Sequence, residues 1–206
     1  MNIERPAPAG CDLKMLRQPF LTPIQTIFLA SMISGDFAFG LAVKNLLMPT
    51  QILNVVRLDM VIPVMLMLVT RLIIDRFGVL ILYEGVWGLF SVFAMPGAFG
   101  LPGLIKLIPA LTQGVILDAL MSLLKPAGRW RLIISALLGG LLSSLTYYAL
   151  RVALGFPWSQ VVQVLLGAQL FSGFFIWTSG ALLSRLVWNK IKETQAVRRI
   201  QFVPES

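Results

Sequence analysis

The chain has 206 residues, 57% of them hydrophobic and only 13% charged, with a formal net charge of +8 and a mean hydropathy of +0.84. A soluble domain carries about twice that charged fraction, so the composition points to an integral membrane protein with no length to spare for a nucleotide-hydrolysing domain of ordinary size. The lack of histidine excludes His triads, His-zinc motifs and His-ligated haem; a lone Cys11 excludes an internal disulfide; and no G-x-x-x-x-G-K-[ST] run occurs.

Residues 1–20 are polar and mixed, with Arg5, Pro6, Pro8, Lys14 and Arg17. They lack the basic, apolar and small-residue order of a signal peptide, so a cytoplasmic amino-terminal segment is expected. Six apolar runs follow: Leu21 to Val43, Met60 to Ile74, Phe77 to Met95, Leu104 to Leu124, Leu132 to Leu154 and Val161 to Trp188. A spanning helix needs about 20 mostly apolar residues, and barrel strands are neither this long nor this uniformly apolar. The predicted fold is therefore an all-α integral membrane protein of six transmembrane helices. It forms one domain over 1–206, with the bundle at 21–188 and a basic tail at 189–206. Asp75-Arg76 ends the second run, Lys125-Pro126 the fourth, and Gly155-Phe156-Pro157 breaks the chain after the fifth. The Gly/Pro-rich stretch from Pro96 to Pro102 joins runs three and four and is a candidate for partial burial.

Charge sets the orientation. With the amino terminus inside, the cytoplasmic segments hold Arg5, Lys14, Arg17, Arg71, Arg76, Lys125, Arg129, Arg131, Arg185, Lys190, Lys192, Arg198 and Arg199, or 13 of the 17 basic residues. The outer segments hold the other 4, Lys44, Arg57, Lys106 and Arg151. This is a positive-inside pattern with both termini cytoplasmic, in the cell's cytoplasmic membrane. It accounts for the basic charge without nucleic acid, for which no basic patch with stacking aromatics is present. Arg185 to Ser206 reads as a basic helix end beside anionic lipid or an intracellular partner.

Small residues form ladders at a spacing of four, which keeps them on one helix face. Run one carries Ala30, Ser34, Ala38 and Ala42; run five carries Ala136, Gly140 and Ser144; run six carries Ala168, Ser172, Gly180 and Ser184. Such faces let two backbones approach closely. For runs five and six, packing inside the bundle is expected. For run one, docking of another membrane subunit and internal packing stand as equal alternatives, with Ala30, Ser34 and Ala38 as the docking residues.

Asp36, Glu84 and Asp118 fall inside apolar runs, where an ionised carboxylate costs roughly 3 kcal/mol or more and must face a cavity or a partner. The direction of each run places Asp36 in the outer half and Glu84 and Asp118 in the inner half. Glu84 and Asp118 can then meet, with Arg71 or Arg131 beside them. Structural pairing with basic or backbone groups is the expected role, and a carboxylate acid/base or proton-relay site is the alternative.

The segment from Lys44 to Asp59 is too apolar for a solvated loop and can fold back as a lid. Opposite it, at similar depth, come Lys106, Tyr147, Tyr148, Arg151, Trp158, Gln160 and Gln163. These supply aromatic faces, amides and positive charge, the mixture that a pocket for a small polar ring compound requires. The candidate substrate-binding set is Asn54 and Arg57 on the lid with Lys106, Tyr147, Arg151, Trp158 and Gln163 below. An interfacial aromatic belt is the alternative for Tyr147, Tyr148 and Trp158. No metal or cofactor site is expected.

Six short-looped spans, both tails inside, a long first outer loop and a small-residue ladder on helix one resemble the S component of an energy-coupling factor transporter, over roughly residues 22–190. Gln113-Gly114-Val115-Ile116-Leu117-Asp118 resembles the Q-G-x-x-x-[DE] stretch of the thiamine-precursor S components. Gly139-Gly140-Leu141-Leu142-Ser143-Ser144 followed by Tyr147 resembles the small-residue run and tyrosine of the next helix, and Glu84 has a counterpart there. The ladder departs from a plain A-x-x-x-A by Ser34. The resemblance implies a non-enzymatic subunit that binds a water-soluble vitamin or vitamin precursor from outside. It also implies docking on a separate transmembrane T subunit that carries two cytoplasmic ATPases. A scaffold subunit of a membrane complex, and an intramembrane enzyme using Glu84 and Asp118, are the competing readings. The outer basic residues favour a neutral or anionic ligand, whereas a thiamine-related pyrimidine calls for a carboxylate such as Asp36 or Asp59; the sequence leaves both open.

Overall fold

A computed structural model describes residues 20–47, 60–94, 101, 103–164 and 170–201. Among these residues there is no strand, and the elements are helices: α1 (Pro23–Leu47), α2 (Val61–Ile73), α3 (Val79–Ala94), α4 (Leu107–Leu123), α5 (Arg131–Ala153), α6 (Trp158–Val164), α7 (Leu170–Ile191) and α8 (Gln195–Gln201). Short 3-10 segments, Gly103–Lys106 and Lys125–Trp130, lead into α4 and α5. The protein is thus all-α, as its apolar runs predict. Among the described residues, three stretches are long and apolar enough to cross a membrane: Pro23–Val43, Gly103–Leu123 and Arg131–Ala153. α2 and α3 are apolar but shorter; the 13 residues of α2 rise only about 20 Å.

α2 packs on α7, α7 on α5, α5 on α4, α4 on α3, and α3 closes the ring back on α2. α1 lies outside this ring, across α2 and α3. α2 therefore has protein on several sides, and Val61, Val64, Met67, Leu68, Val69, Thr70, Arg71 and Ile73 are all buried. Met67 and Leu68 join Leu80 and Tyr83 of α3, Leu117 and Met121 of α4, Ala136 of α5 and Ala181 of α7 in one continuous core.

Small residues set the distances between helices. A Cβ on Gly114 of α4 would lie 2.6 Å from the Leu80 carbonyl oxygen and 2.9 Å from the Ile81 Cα of α3. These are backbone atoms that no rotamer change can move. Gly140 of α5 receives the Trp177 indole of α7, and Gly180 of α7 receives Val64 of α2. Ala136 and Ser184 are fully enclosed and Ser172 is buried. The ladders of runs five and six are thus spent on packing within the bundle, as expected; Ala168 lies outside the described residues. The run-one ladder differs, because Ala30, Ser34, Ala38 and Ala42 are all exposed.

Several element boundaries move relative to the sequence expectation. α1 continues four residues past Val43, to Leu47. The break at Gly155-Phe156-Pro157 is present, with Gly155 at a φ of +92° that favours glycine. The run Val161 to Trp188 corresponds to α6 and α7, and α7 carries on to Ile191; residues 165–169 lie outside the described set. The basic tail contains a helix that hydropathy did not suggest. Val197 and Ile200 of α8 are buried in the common core, and Gln25 Nε2 of α1 donates to the Ile200 carbonyl at 3.0 Å.

Candidate functional site

The end of the bundle that holds α8 is also where the basic residues gather. Arg71, one turn from the end of α2, has a side chain with no exposed surface. Its Nε donates to Asp118 Oδ1 at 2.7 Å, its Nη1 to Asp75 Oδ1 at 2.6 Å and its Nη2 to Ser122 Oγ at 3.1 Å. The other oxygen of Asp118 accepts from three backbone N–H groups that open α3, Gly78 at 2.9 Å, Leu80 at 2.9 Å and Ile81 at 3.2 Å. First-turn N–H groups have no intrahelical acceptor and carry the positive end of the helix dipole. A carboxylate on α4 therefore caps α3 and neutralises an arginine on α2 at once. This is the structural pairing that the sequence allowed for Asp118, with Arg71 as the partner.

Asp75, in the α2–α3 connection, extends the network outward. Arg131 Nη2 reaches Asp75 Oδ1 at 2.7 Å and Lys125 Nζ reaches Oδ2 at 3.6 Å. Partial burial pushes the Asp75 carboxyl up, but the Arg131 hydrogen bond and the charges of Arg131, Arg71 and Lys125 outweigh it and hold the group below its ordinary 3.8. Arg131 Nε also donates to the Met121 carbonyl, and Arg76 Nη1 to the Phe20 carbonyl at 2.7 Å. Arg71 on α2, Arg76 in the α2–α3 connection and Arg131 at the start of α5 thus tie one end of the bundle together.

A second polar cluster lies deeper, where α1, α3 and α4 meet. Tyr83 Oη donates to Asp36 Oδ2 at 2.8 Å, and both residues are buried. The next residue, Glu84, is buried and accepts from Gln113 Nε2 at 3.0 Å. Asp36 and Glu84 therefore share a depth, which corrects their assignment to opposite halves. α1 starts beyond the ring, where Gln25 meets α8, so the fourteenth residue of this 25-residue helix reaches only the level of Tyr83. Glu84 and Asp118 have separate partners. The buried Asp36 Oδ1 makes no hydrogen bond among the described residues. It is an acceptor in an apolar setting, suited to a proton or to an N–H donor of a solute.

These contacts give the Gln113-Gly114…Asp118 stretch a physical meaning. Residues 113, 114 and 118 lie on one face of α4. Gln113 holds Glu84, Gly114 admits the α3 backbone and Asp118 caps the first turn of α3. Tyr83 was not singled out in the sequence, although a tyrosine beside a glutamate within an apolar run is the signal that marks it.

Five of the expected outer pocket residues, Lys106, Tyr147, Arg151, Trp158 and Gln163, lie among the described residues. Tyr147 stands edge-on to Tyr148 with ring centroids 5.2 Å apart. The Arg151 guanidinium sits 4.4 Å from the Phe156 ring centre and 5.9 Å from that of Tyr147. Arg151 Nε is enclosed and makes no hydrogen bond among the described residues, so it is a donor suited to an anionic group. Lys106 is fully buried, with Nζ 3.4 Å from the Ser91 carbonyl of α3. Trp158 and Gln163 are exposed on α6. Tyr147 and Arg151 are brought together. Asn54 and Arg57, with the rest of the proposed lid, lie outside the described residues. No three His, Cys, Asp or Glu residues converge in metal-holding geometry among the described residues. No family model, curated protein or solved structure matches this chain.

Proposed function

We propose that this chain is a six-span, membrane-embedded solute-capture subunit of a multi-component importer, of the S-component type. On this reading both termini are cytoplasmic and the Arg71–Asp118–Asp75–Arg131 end faces the cytoplasm, following the positive-inside distribution. The chain binds a small water-soluble vitamin or precursor arriving from the outer side. Energy comes from partner chains, a transmembrane subunit with two ATPases, and this chain performs no chemistry itself.

One observation carries this reading: the contrast between the small-residue ladders. Those of α5 and α7 are consumed in contacts with α4, α7 and α2, whereas that of α1 is left open on a helix lying outside the ring. In lipid, an open small-residue face gains by packing against another helix. The same helix buries Asp36 on its opposite side, against Tyr83.

Ala38→Leu tests the reading. It fills the open face without adding charge, so the variant should fold and bind its solute as the wild type does while uptake into cells is abolished. Unchanged uptake would remove the docking role. Loss of folding would mean that the face is packed against this chain.

A further inference from the structure

The inner end of α1 and α8 together form an open groove of about 400 Å3, lined by Ile24, Ile27, Phe28, Ser31, Ala196, Arg199 and Ile200. The walls are apolar. The Ser31 hydroxyl is already committed to the Ile27 carbonyl at 2.8 Å, and Arg199 is the one charged residue among the seven. We infer that this groove binds a single anionic phospholipid of the cytoplasmic leaflet, its phosphate against Arg199 and an acyl chain along Ile24, Ile27 and Phe28.

The geometry of α8 supports this occupant. The helix docks by Val197 and Ile200 and by the Gln25 hydrogen bond to the Ile200 carbonyl. That fixes its rotation, so that Ala196, Arg199 and Ile200 face the groove while Arg198 is carried round to another side. Arg199 thus stands at the edge of an apolar groove. An apolar protein segment would fill the channel and leave Arg199 unmatched, whereas a lipid supplies both an aliphatic chain and a fixed negative charge. The surroundings add to the match: between Arg185 and Gln201 there are five basic residues against Glu193 alone. Basic pockets on the cytoplasmic side of membrane helices attract anionic headgroups. The inference rests on the cytoplasmic orientation of this end and does not depend on the identity of the imported solute.

The test is native mass spectrometry of the full-length protein titrated with phosphatidylglycerol and, separately, phosphatidylcholine. Arg199→Gln and Ile27→Trp would be compared with Arg198→Gln, which removes the same charge from the other side of α8. The wild type is expected to retain one phosphatidylglycerol in preference to phosphatidylcholine. Arg199→Gln should weaken retention about fivefold, the contribution of one basic residue at a membrane surface, and Ile27→Trp should block it, while Arg198→Gln leaves it unchanged. Arg199 is exposed, so its variant keeps the fold even if Ile27→Trp does not. Equal weakening by the two arginine variants would show unspecific charge attraction and overturn the site. So would equal retention of both lipids, or lipid binding that appears only after residues 1–19 are removed, which would assign the groove to this chain's own amino-terminal segment.

Discussion

Asp118 and Arg71 form a fully enclosed ion pair, 2.7 Å from Oδ1 to Nε, in which the carboxylate also caps a neighbouring helix through its second oxygen. Three helices depend on this one side chain: α4 carries it, α2 supplies the arginine and α3 begins on it. A buried charge is tolerated when it is paired and hydrogen-bonded, and breaking the pair costs about 3–5 kcal/mol because the remaining partner stays buried. Asp118→Ala should therefore lower the melting temperature in detergent sharply. Asp118→Asn combined with Arg71→Met should recover part of the loss. The asparagine oxygen still accepts from the Leu80 and Ile81 N–H groups, and the unpaired guanidinium is gone. A double variant no better than Asp118→Ala would show that the pair is not the source of the stability.

The close approach of α3 and α4 makes a second prediction. Gly114→Ala places a methyl group against the Leu80 and Ile81 backbone, and overpacking of this kind costs about 1–3 kcal/mol. Gly35→Ala, on the open side of α1 with nothing within 4 Å, should leave thermal stability unchanged or slightly raise it, because alanine is the better helix former. Thermal unfolding of the two single variants in the same detergent checks the contrast.

The Asp75 network predicts a pH dependence. The folded-state value lies below the ordinary 3.8, so the folded form binds a proton less readily than the unfolded chain. The resulting stability is present above the unfolded value. It is lost as pH falls through the folded one, in a window below about pH 4. Asp75 is 43% exposed, so solvent screening limits the contribution to about 1 kcal/mol or less. Asp75→Asn should lower stability slightly at pH 7 and flatten the decline between pH 5 and pH 3, as read from melting temperatures across that range.

Helix content, the break at Gly155-Phe156-Pro157 and the pairing of Asp118 with a basic residue, either Arg71 or Arg131, were legible in the sequence, because polar residues in apolar runs must find partners and Gly-Phe-Pro cannot continue a helix. The arrangement of the helices was not. In a chain this apolar, lipid-facing and core-facing positions are equally hydrophobic, so periodicity does not say that α2 is enclosed while α1 lies outside the ring. The same silence hid the level of Asp36, because counting residues along a run assumes that all helices start at one depth, and α1 starts lower, at its contact with α8. α8 itself was masked by its charge. Val197 and Ile200 form an apolar edge one turn long, and the basic residues around them read only as a helix end beside anionic lipid or a partner. Lys106, expected beneath the lid, is buried with its ammonium against the Ser91 carbonyl.

Two enclosed charged side chains bear on the proposed solute capture. Asp36 Oδ1 is an acceptor and Arg151 Nε a donor, each enclosed and without a hydrogen bond among the described residues. They favour opposite ligand chemistries, an amine-bearing ring at Asp36 and an anionic group at Arg151.

Mass spectrometry of the small molecules that co-purify with the intact protein from its native membrane tests the capture function most directly. The expected result is one water-soluble organic compound per chain, retained by the wild type and lost in Arg151→Gln where the compound is anionic or in Asp36→Asn where it carries an amine. A monodisperse, folded protein that carries no such compound, and that is isolated in a stoichiometric complex without ATPase subunits, would contradict solute capture and leave a scaffold in its place.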